Sequence, residues 1–466
     1  MSELIGRQNE KREIEGTLAA ATGGQPQMFV LFGRRRVGKT FLLRHTLDQL
    51  PLPTVYFAAL RGRPNMEAAR FATEASRVLN SDIHGDWSEI FQTLVSIARS
   101  KPVIVAIDEA PYLIDEDASW TSALQHAWDE AQTSAPCHLW FCLTGSAVTT
   151  LTNVVSSGGP LFGRSTKMLR LDPFTLPMCH QLLGPTSSPR TSIEAMAACG
   201  GYPLLLRQWN PLISAQSNVL NLAGTPLGPL ATDANALLLD LPDPAGYRRV
   251  LSSIGRRRSK RNEINSELGQ RADRALAVLE QTGLIRRTQP VDDRSPKSLT
   301  YRLDDHYLSF WFLLVDPNQQ EIDSGQGRPA LQRRIEIWNR HVEAVFEHEA
   351  REHAVRLVGA GLLPSGVVGR WWTDRPRQAE VDLVIASDRW LVVGEAKFKD
   401  RFGITDWRRF IENLAVAGPK AQSATRALWV RDTVDATVLA LDPELLVYRP
   451  PHMVEQLPGN IANSPS

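Results

Sequence analysis

The chain has 466 residues, 43% of them apolar, with 52 Lys and Arg against 51 Asp and Glu and a formal net charge of +1. That length suits about three domains, each able to bury a core, and the near-neutral balance excludes a strongly polybasic or polyacidic chain, so that any nucleic-acid contact has to come from local patches. Cys137, Cys142, Cys179 and Cys199 lack C-x-x-C spacing, no apolar run approaches membrane-spanning length, and the N-terminus is no signal peptide; a reduced, soluble, cytoplasmic protein with no membrane partner is expected.

Leu4-Ile5-Gly6-Arg7 and a charged helix over 10–21 lead to an apolar run of strand length at 28–32. Gly33-Arg34-Arg35-Arg36-Val37-Gly38-Lys39-Thr40 follows, fitting G-x-x-x-x-G-K-[ST], and 41–47 carries apolar residues at helical spacing. A strand, a glycine-rich turn and a helix start are what a phosphate-binding loop needs, because successive backbone N–H groups and the helix N-terminus then point at negative charge. Lys39 is expected on the β- and γ-phosphates of ATP, and Thr40 on Mg²⁺ through its hydroxyl.

Further strands are expected at 55–59, 102–107 and 139–143, with helices at 66–79 and 87–99 between them. Alternating apolar strands and helices indicate a doubly wound, mostly parallel sheet whose ligands sit at the strand C-termini. The run at 102–107 ends in Asp108 and Glu109. Asp108 is expected to help hold the Mg²⁺ shell and Glu109 to orient or deprotonate the attacking water, the plainer reading being an acidic helix cap. Thr144 or Ser146, after the next strand, is a candidate for contact with the γ-phosphate or the water, or a turn residue only.

Ile5-Gly6-Arg7, the phosphate loop, Ile107-Asp108-Glu109, Thr144-Gly145-Ser146, Pro160-Leu161-Phe162-Gly163-Arg164 and Gly200-Gly201-Tyr202-Pro203 come in an order that resembles the archaeal-type STAND ATPases, relatives of the AAA+ machines. Gln8 departs from that pattern, since members usually carry Glu there. The resemblance implies that Arg164 is a γ-phosphate sensor or arginine finger, acting in cis or on a neighbouring subunit of a homo-oligomer. It also implies that Tyr202 and Pro203 make a lid contact near the nucleotide. From residues alone, the alternative for Arg164 is a surface arginine after a Gly-Gly-Pro turn, and Gly-Gly-Tyr-Pro reads equally as a helix-ending turn.

Helices broken by Pro and Gly over 172–236 suit a small lid, and 242–244 marks a boundary. Three short helices at 247–254, 261–268 and 272–282, then strands at 284–288 and 299–303, make a winged helix-turn-helix. Arg256-Arg257-Arg258-Ser259-Lys260-Arg261 is the densest positive run and a candidate for DNA phosphates, or else a solvated basic loop. The apolar stretch 307–315 is expected to be packing.

In the last part a helix over 339–356 carries Glu347, and strands are expected at 367–373, 380–386 and 390–398, then a helix at 405–416 and a strand at 427–430. A turn near Asp388 brings Asp382 close to Gly394, within about one residue of Glu395, while Glu395 and Lys397 share a strand face. Asp382 and Glu395 can supply oxygen ligands to Mg²⁺ or Mn²⁺, Lys397 can hold the attacking water or stabilise developing charge, and Glu347 can complete the site. This D…E-x-K pattern resembles the restriction-endonuclease-like PD-(D/E)xK nucleases, with Glu380 where Pro is often found. The expected architecture is therefore α/β and multidomain: a P-loop ATPase core over 1–171, a helical lid over 172–240, a winged helix over 241–315 and a nuclease-like domain over 316–466. The function expected from it is ATP-coupled DNA binding with metal-dependent cleavage, the alternative being an ATP-dependent switch that binds DNA or a protein partner without cutting.

Overall fold

A computed structural model describes residues 4–133, 136–238, 241, 243–256, 258–293, 295, 298–373 and 377–457. Pro242 of the expected boundary and Arg257 of the basic run lie outside them. The chain divides into two compact units, Met1–Pro173 and Phe174–Ser466. Among the described residues no helix is long and apolar enough to cross a membrane.

The first unit is built on strands β1 (Gln27–Phe32), β2 (Thr54–Ala58), β3 (Val103–Asp108), β4 (Leu139–Gly145) and β5 (Lys167–Arg170), all parallel, in the order β2-β3-β4-β1-β5. Every residue of β3 and β4 is buried, as expected of central parallel strands covered on both faces. Phe32 pairs with Gly145, Leu143 with Ile107, and Asp108 with Ala58, so four strands end level on one edge. β4 stands between β1 and β3. β5 was not expected: Lys-Met-Leu-Arg is short, half charged and alternately exposed, which gives no apolar run to read. The first helix of interest, α1 (Lys39–Leu47), starts directly after Gly38.

In the second unit, helices Pro244–Gly255, Arg261–Leu268 and Asp273–Gln281 precede an antiparallel hairpin of β6 (Ile285–Thr288) and β7 (Thr300–Leu303). The long helix α2 (Ile335–Gly359) comes before a mixed sheet of β8 (Val367–Thr373), β9 (Ala379–Ala386), β10 (Trp390–Lys397), β11 (Thr425–Val430) and β12 (Leu446–Tyr448), in the order β12-β11-β10-β9-β8. β8, β9 and β10 are antiparallel neighbours, whereas β11 lies parallel to β10. A helix, α3 (Ile404–Ala417), contributes Trp407, Phe410 and Leu414 to the apolar layer that includes Val381, Val393 and Leu428 of the sheet. The β8–β9 register steps from Gly369↔Val384 to Trp371↔Val381, so Asp382 and Leu383 together oppose Arg370. This bulge re-aims the Asp382 side chain relative to a regular strand.

Candidate nucleotide and metal sites

Gly33 adopts φ +152°, and a Cβ there would lie 2.2 Å from the Leu171 carbonyl oxygen. Gly38 adopts φ +98° with open space around it, so its backbone alone calls for glycine. Between them Arg34, Arg35 and Arg36 are half-buried and Val37 is fully buried, pinning the turn to the core. Arg36 also takes positive φ, +66°. Arg7 Nη2 lies 3.4 Å from the Val37 carbonyl, whereas Gln8 makes a local bond to the Leu4 carbonyl at 3.2 Å. Lys39 is buried and its Nζ donates to the carbonyls of Gly33 (2.8 Å) and Arg34 (2.9 Å), inside the turn.

Thr40 Oγ1 donates to Asp108 Oδ2 at 2.8 Å, joining the start of α1 to the end of β3. The Tyr56 hydroxyl donates to the same oxygen, and the Glu109 N–H donates to Oδ1 at 3.0 Å. Burial, then the charge of Asp108, pushes the Tyr56 phenol well above its usual range, and the Arg44 guanidinium lies 4.2 Å from the ring centre. Tyr56 was legible only as a strand residue; its role comes from β2 lying beside β3, which no local pattern announces. Glu109 sits just past β3 at φ +53°, a conformation that a non-glycine residue rarely takes. Its carboxylate accepts from Ser146, with Oγ at 3.2 Å and N at 3.4 Å. Thr144 Oγ1 is buried at the end of β4 without a hydrogen-bond partner. A buried hydroxyl left unbonded beside a positive turn and two acids fits a site that takes a further polar group.

Two residues placed by resemblance are engaged elsewhere. Arg164 makes a two-pronged bond to Asp129, both contacts at 2.7 Å, so any role on a phosphate requires its release. Tyr202 is fully buried in the second unit, its hydroxyl donating to Asp305 at 2.5 Å and its ring edge-on to Tyr307, while Pro203 begins the short helix Pro203–Leu206. In the basic run, Arg256 lies 3.8 Å from Asp316, Arg258 3.5 Å from Glu267 and Arg261 3.3 Å from Asp273, so the densest positive stretch is interleaved with acids.

At the C-terminal site the structure brings Asp382, Glu395 and Lys397 into contact. Lys397 Nζ lies 2.8 Å from Glu395 Oε1 and 3.3 Å from Asp382 Oδ2, and the Ala396 N–H donates to Asp382 Oδ2 at 3.0 Å. Both carboxylates are buried, and Glu395 Oε2 has no hydrogen-bond partner. Burial and the charge of Asp382 raise Glu395 to about 7 and Glu347, on α2, to about 8. Burial opposes the charge on Lys397, but Asp382 and Glu395 hold it well above the usual range. An unbonded buried carboxylate oxygen beside a second buried acid offers oxygen atoms of the kind a hard cation takes, with the Lys397 ammonium set against both acids here. A second cluster, His306, His348 and Glu349, offers ligand atoms within 4.8 Å of one another, with no spacing in the chain that announces it. There Arg302 Nη1 already lies 2.9 Å from His348 Nδ1, and burial with the Arg302 charge holds that imidazole far below its usual range. That arrangement suits a structural junction better than a cation.

Residues 7–208 match a family profile described as an ATPase domain predominantly from Archaea. With the glycine turn on a five-stranded parallel sheet, this part of the chain has a P-loop NTPase fold. Residues 311–409 match a family described as Archaea bacterial proteins of unknown function. The uncharacterized protein MJECL04 of Methanocaldococcus jannaschii is 24% identical over 389 residues, covering 80% of this chain and 83% of that one. Among solved structures, the Walker-type ATPase Paby2304 of Pyrococcus abyssi is similar at 20% identity and a TM-score of 0.48, over 66% of this chain and 96% of that one. The Aeropyrum pernix ORC2 protein, in its ADPNP-ADP complexes, is similar at 15% identity and a TM-score of 0.43, over 73% and 95%.

Proposed function

We propose that the protein hydrolyses ATP and couples its nucleotide state to DNA binding and to metal-dependent DNA cleavage at the Asp382–Glu395–Lys397 corner. The observation that carries the cleavage reading is the buried Glu395 oxygen left unbonded beside the second buried carboxylate, Asp382. At the first site the P-loop N–H groups and Lys39 would hold the phosphates, and Thr40 and Asp108 would hold Mg²⁺. Glu109 would take the proton of the attacking water once its carboxylate leaves Ser146. At the second site Asp382 and Glu395, with Glu347 behind them, would hold Mg²⁺ or Mn²⁺, and Lys397 would stabilise the negative charge that builds on the phosphodiester. Bound metal supplies charge neutralisation at the first site and a more acidic water at the second. The three helices and the β6–β7 hairpin support a winged-helix reading, and α2 with the bulged sheet supports a restriction-endonuclease-like one.

The test is incubation of the protein with duplex DNA, ATP and Mg²⁺ or Mn²⁺, beside Lys397→Ala and Lys39→Ala. Cleavage lost in Lys397→Ala but with ATP hydrolysis kept is the expected result. Absence of cleavage under every condition, with Lys397→Ala behaving like wild type, leaves the second reading: a nucleotide-dependent switch that binds without cutting. The double ion pair of Lys397 favours that reading, because it closes the corner in this state. DNA retention that survives Glu395→Ala but not Lys39→Ala would support it.

A further inference from the structure

Positive charge gathers beside the acid–acid–lysine corner from four elements, none of them in the 256–261 run. The hairpin sets Arg286 directly opposite Arg302, an unfavourable like-charge pairing, and both lean on the single carboxylate of Asp304, at 2.8 and 3.2 Å. Arg302 also reaches His348 on α2, next to Glu347, at 2.9 Å. Three residues further on, Arg351 donates to the Asp382 carbonyl at 2.9 Å. Val291, just beyond β6, donates its N–H to the carbonyl of Arg370 at 3.0 Å, and Arg370 faces the Asp382–Leu383 bulge. The hairpin, α2 and β8 therefore bring Arg286, Arg302, Arg351 and Arg370 around one place. The side chains of Arg286 and Arg370 remain 56% and 36% exposed, so an outside group can reach them, although Arg286 faces Asp304 at 2.8 Å and Arg370 faces Glu380 at 3.8 Å; Arg302 is held between His348 and Asp304.

We propose that Arg286 and Arg370 form a seat for the DNA backbone, with Arg302 bracing it from beneath, gripping phosphates that flank the one presented to Asp382, Glu395 and Lys397. The seat reads phosphate and not base edges, so it is indifferent to sequence. Arg351 has its donor on the Asp382 carbonyl and supports the seat from behind. The placement of the gripped phosphates rests on the nuclease reading; the binding itself does not.

The experiment is fluorescence anisotropy of the full chain with two labelled duplexes of unrelated sequence, in EDTA so that nothing is cut, over a series of salt concentrations. Arg286→Ala and Arg370→Ala are each expected to weaken both duplexes by the same factor, and to lower the slope of log affinity against log salt by about 1. Arg286→Lys, which keeps the charge and guards against a misfolded hairpin, should keep the slope near that of wild type. Slopes unchanged in both alanine variants, or a wild-type chain that does not bind duplex, would overturn the seat. Glu395→Ala, assayed only for cleavage in Mn²⁺, tests the nuclease reading apart from the seat: that reading predicts lost cleavage. Lowered slopes without any wild-type cleavage would uphold the seat and sink the nuclease; cleavage with unaltered slopes would do the reverse.

Discussion

Tyr56→Phe removes one hydroxyl and keeps the ring that lies against Arg44. Asp108 then loses one of three donors, keeping Thr40 on Oδ2 and the Glu109 N–H on Oδ1. A hydrogen bond to a charged group contributes roughly 1.5–3 kcal/mol, and with Thr40 still in place about half of that should be lost from the orientation of the carboxylate. About 1.4 kcal/mol is tenfold in affinity. The loss should appear where Asp108 is used, in Mg²⁺-dependent nucleotide binding, and not in the grip of the glycine turn and Lys39 on the phosphates. The assay is titration of a fluorescent ATP analogue with and without Mg²⁺, with Lys39→Ala as the variant that weakens both. Half of the hydrogen-bond range is about 0.75–1.5 kcal/mol, so Tyr56→Phe should bind the analogue about four- to tenfold more weakly with Mg²⁺ and nearly as wild type without it. Equal losses in the two conditions, or none, would refute the placement of Tyr56 as the residue that orients Asp108.

Glu347, raised to about 8, binds a proton more tightly in the folded chain than a carboxyl does unfolded, so its contribution to stability is complete below the usual carboxylate range and is lost as pH rises through 8. Glu347→Gln removes that dependence, and urea unfolding at pH 6 and pH 9 should show the fall in stability between them reduced by about 2 kcal/mol. Gly33→Ala forces a side chain into the Leu171 carbonyl oxygen, so nucleotide binding should be lost and the melting temperature should drop measurably by calorimetry; wild-type values for both would contradict the geometry. Arg164→Ala opens a half-exposed ion pair with Asp129 and should cost under about 1 kcal/mol of stability. If Arg164 acts on the γ-phosphate, the variant also hydrolyses ATP more slowly with binding intact, whereas an unchanged rate confines it to the Asp129 pair.

Local chemistry was legible in the letters. The glycines, Lys39 and Thr40 are contiguous, and the apolar strand before Asp108 and Glu109 announces where those acids stand, because a P-loop is built from one strand, one turn and one helix start. The extent of β5 and the placement of Arg164 and Tyr202 were not legible: a four-residue edge strand has no apolar run, and an arginine's partner 35 residues away or a tyrosine's 103 residues away leaves no periodic trace. The basic run shows the same limit, since its charge was plain but the acids facing it, Glu267 and Asp273, lie 9 and 12 residues beyond Arg258 and Arg261 and come to them only once the helices fold back.

The sequence by itself determined which side chains are candidates at the two sites and the strand or helix that carries each, since these follow from spacing within a few residues. Tertiary structure alone decided what they touch. The order β2-β3-β4-β1-β5 sets Tyr56 on Asp108 and Ser146 on Glu109, and the bulge at Asp382–Leu383 turns the aspartate onto Ala396 and Lys397. Both depend on which strands lie side by side and in what register, and that is settled by burial of whole faces across the sheet, a property no short stretch of chain contains.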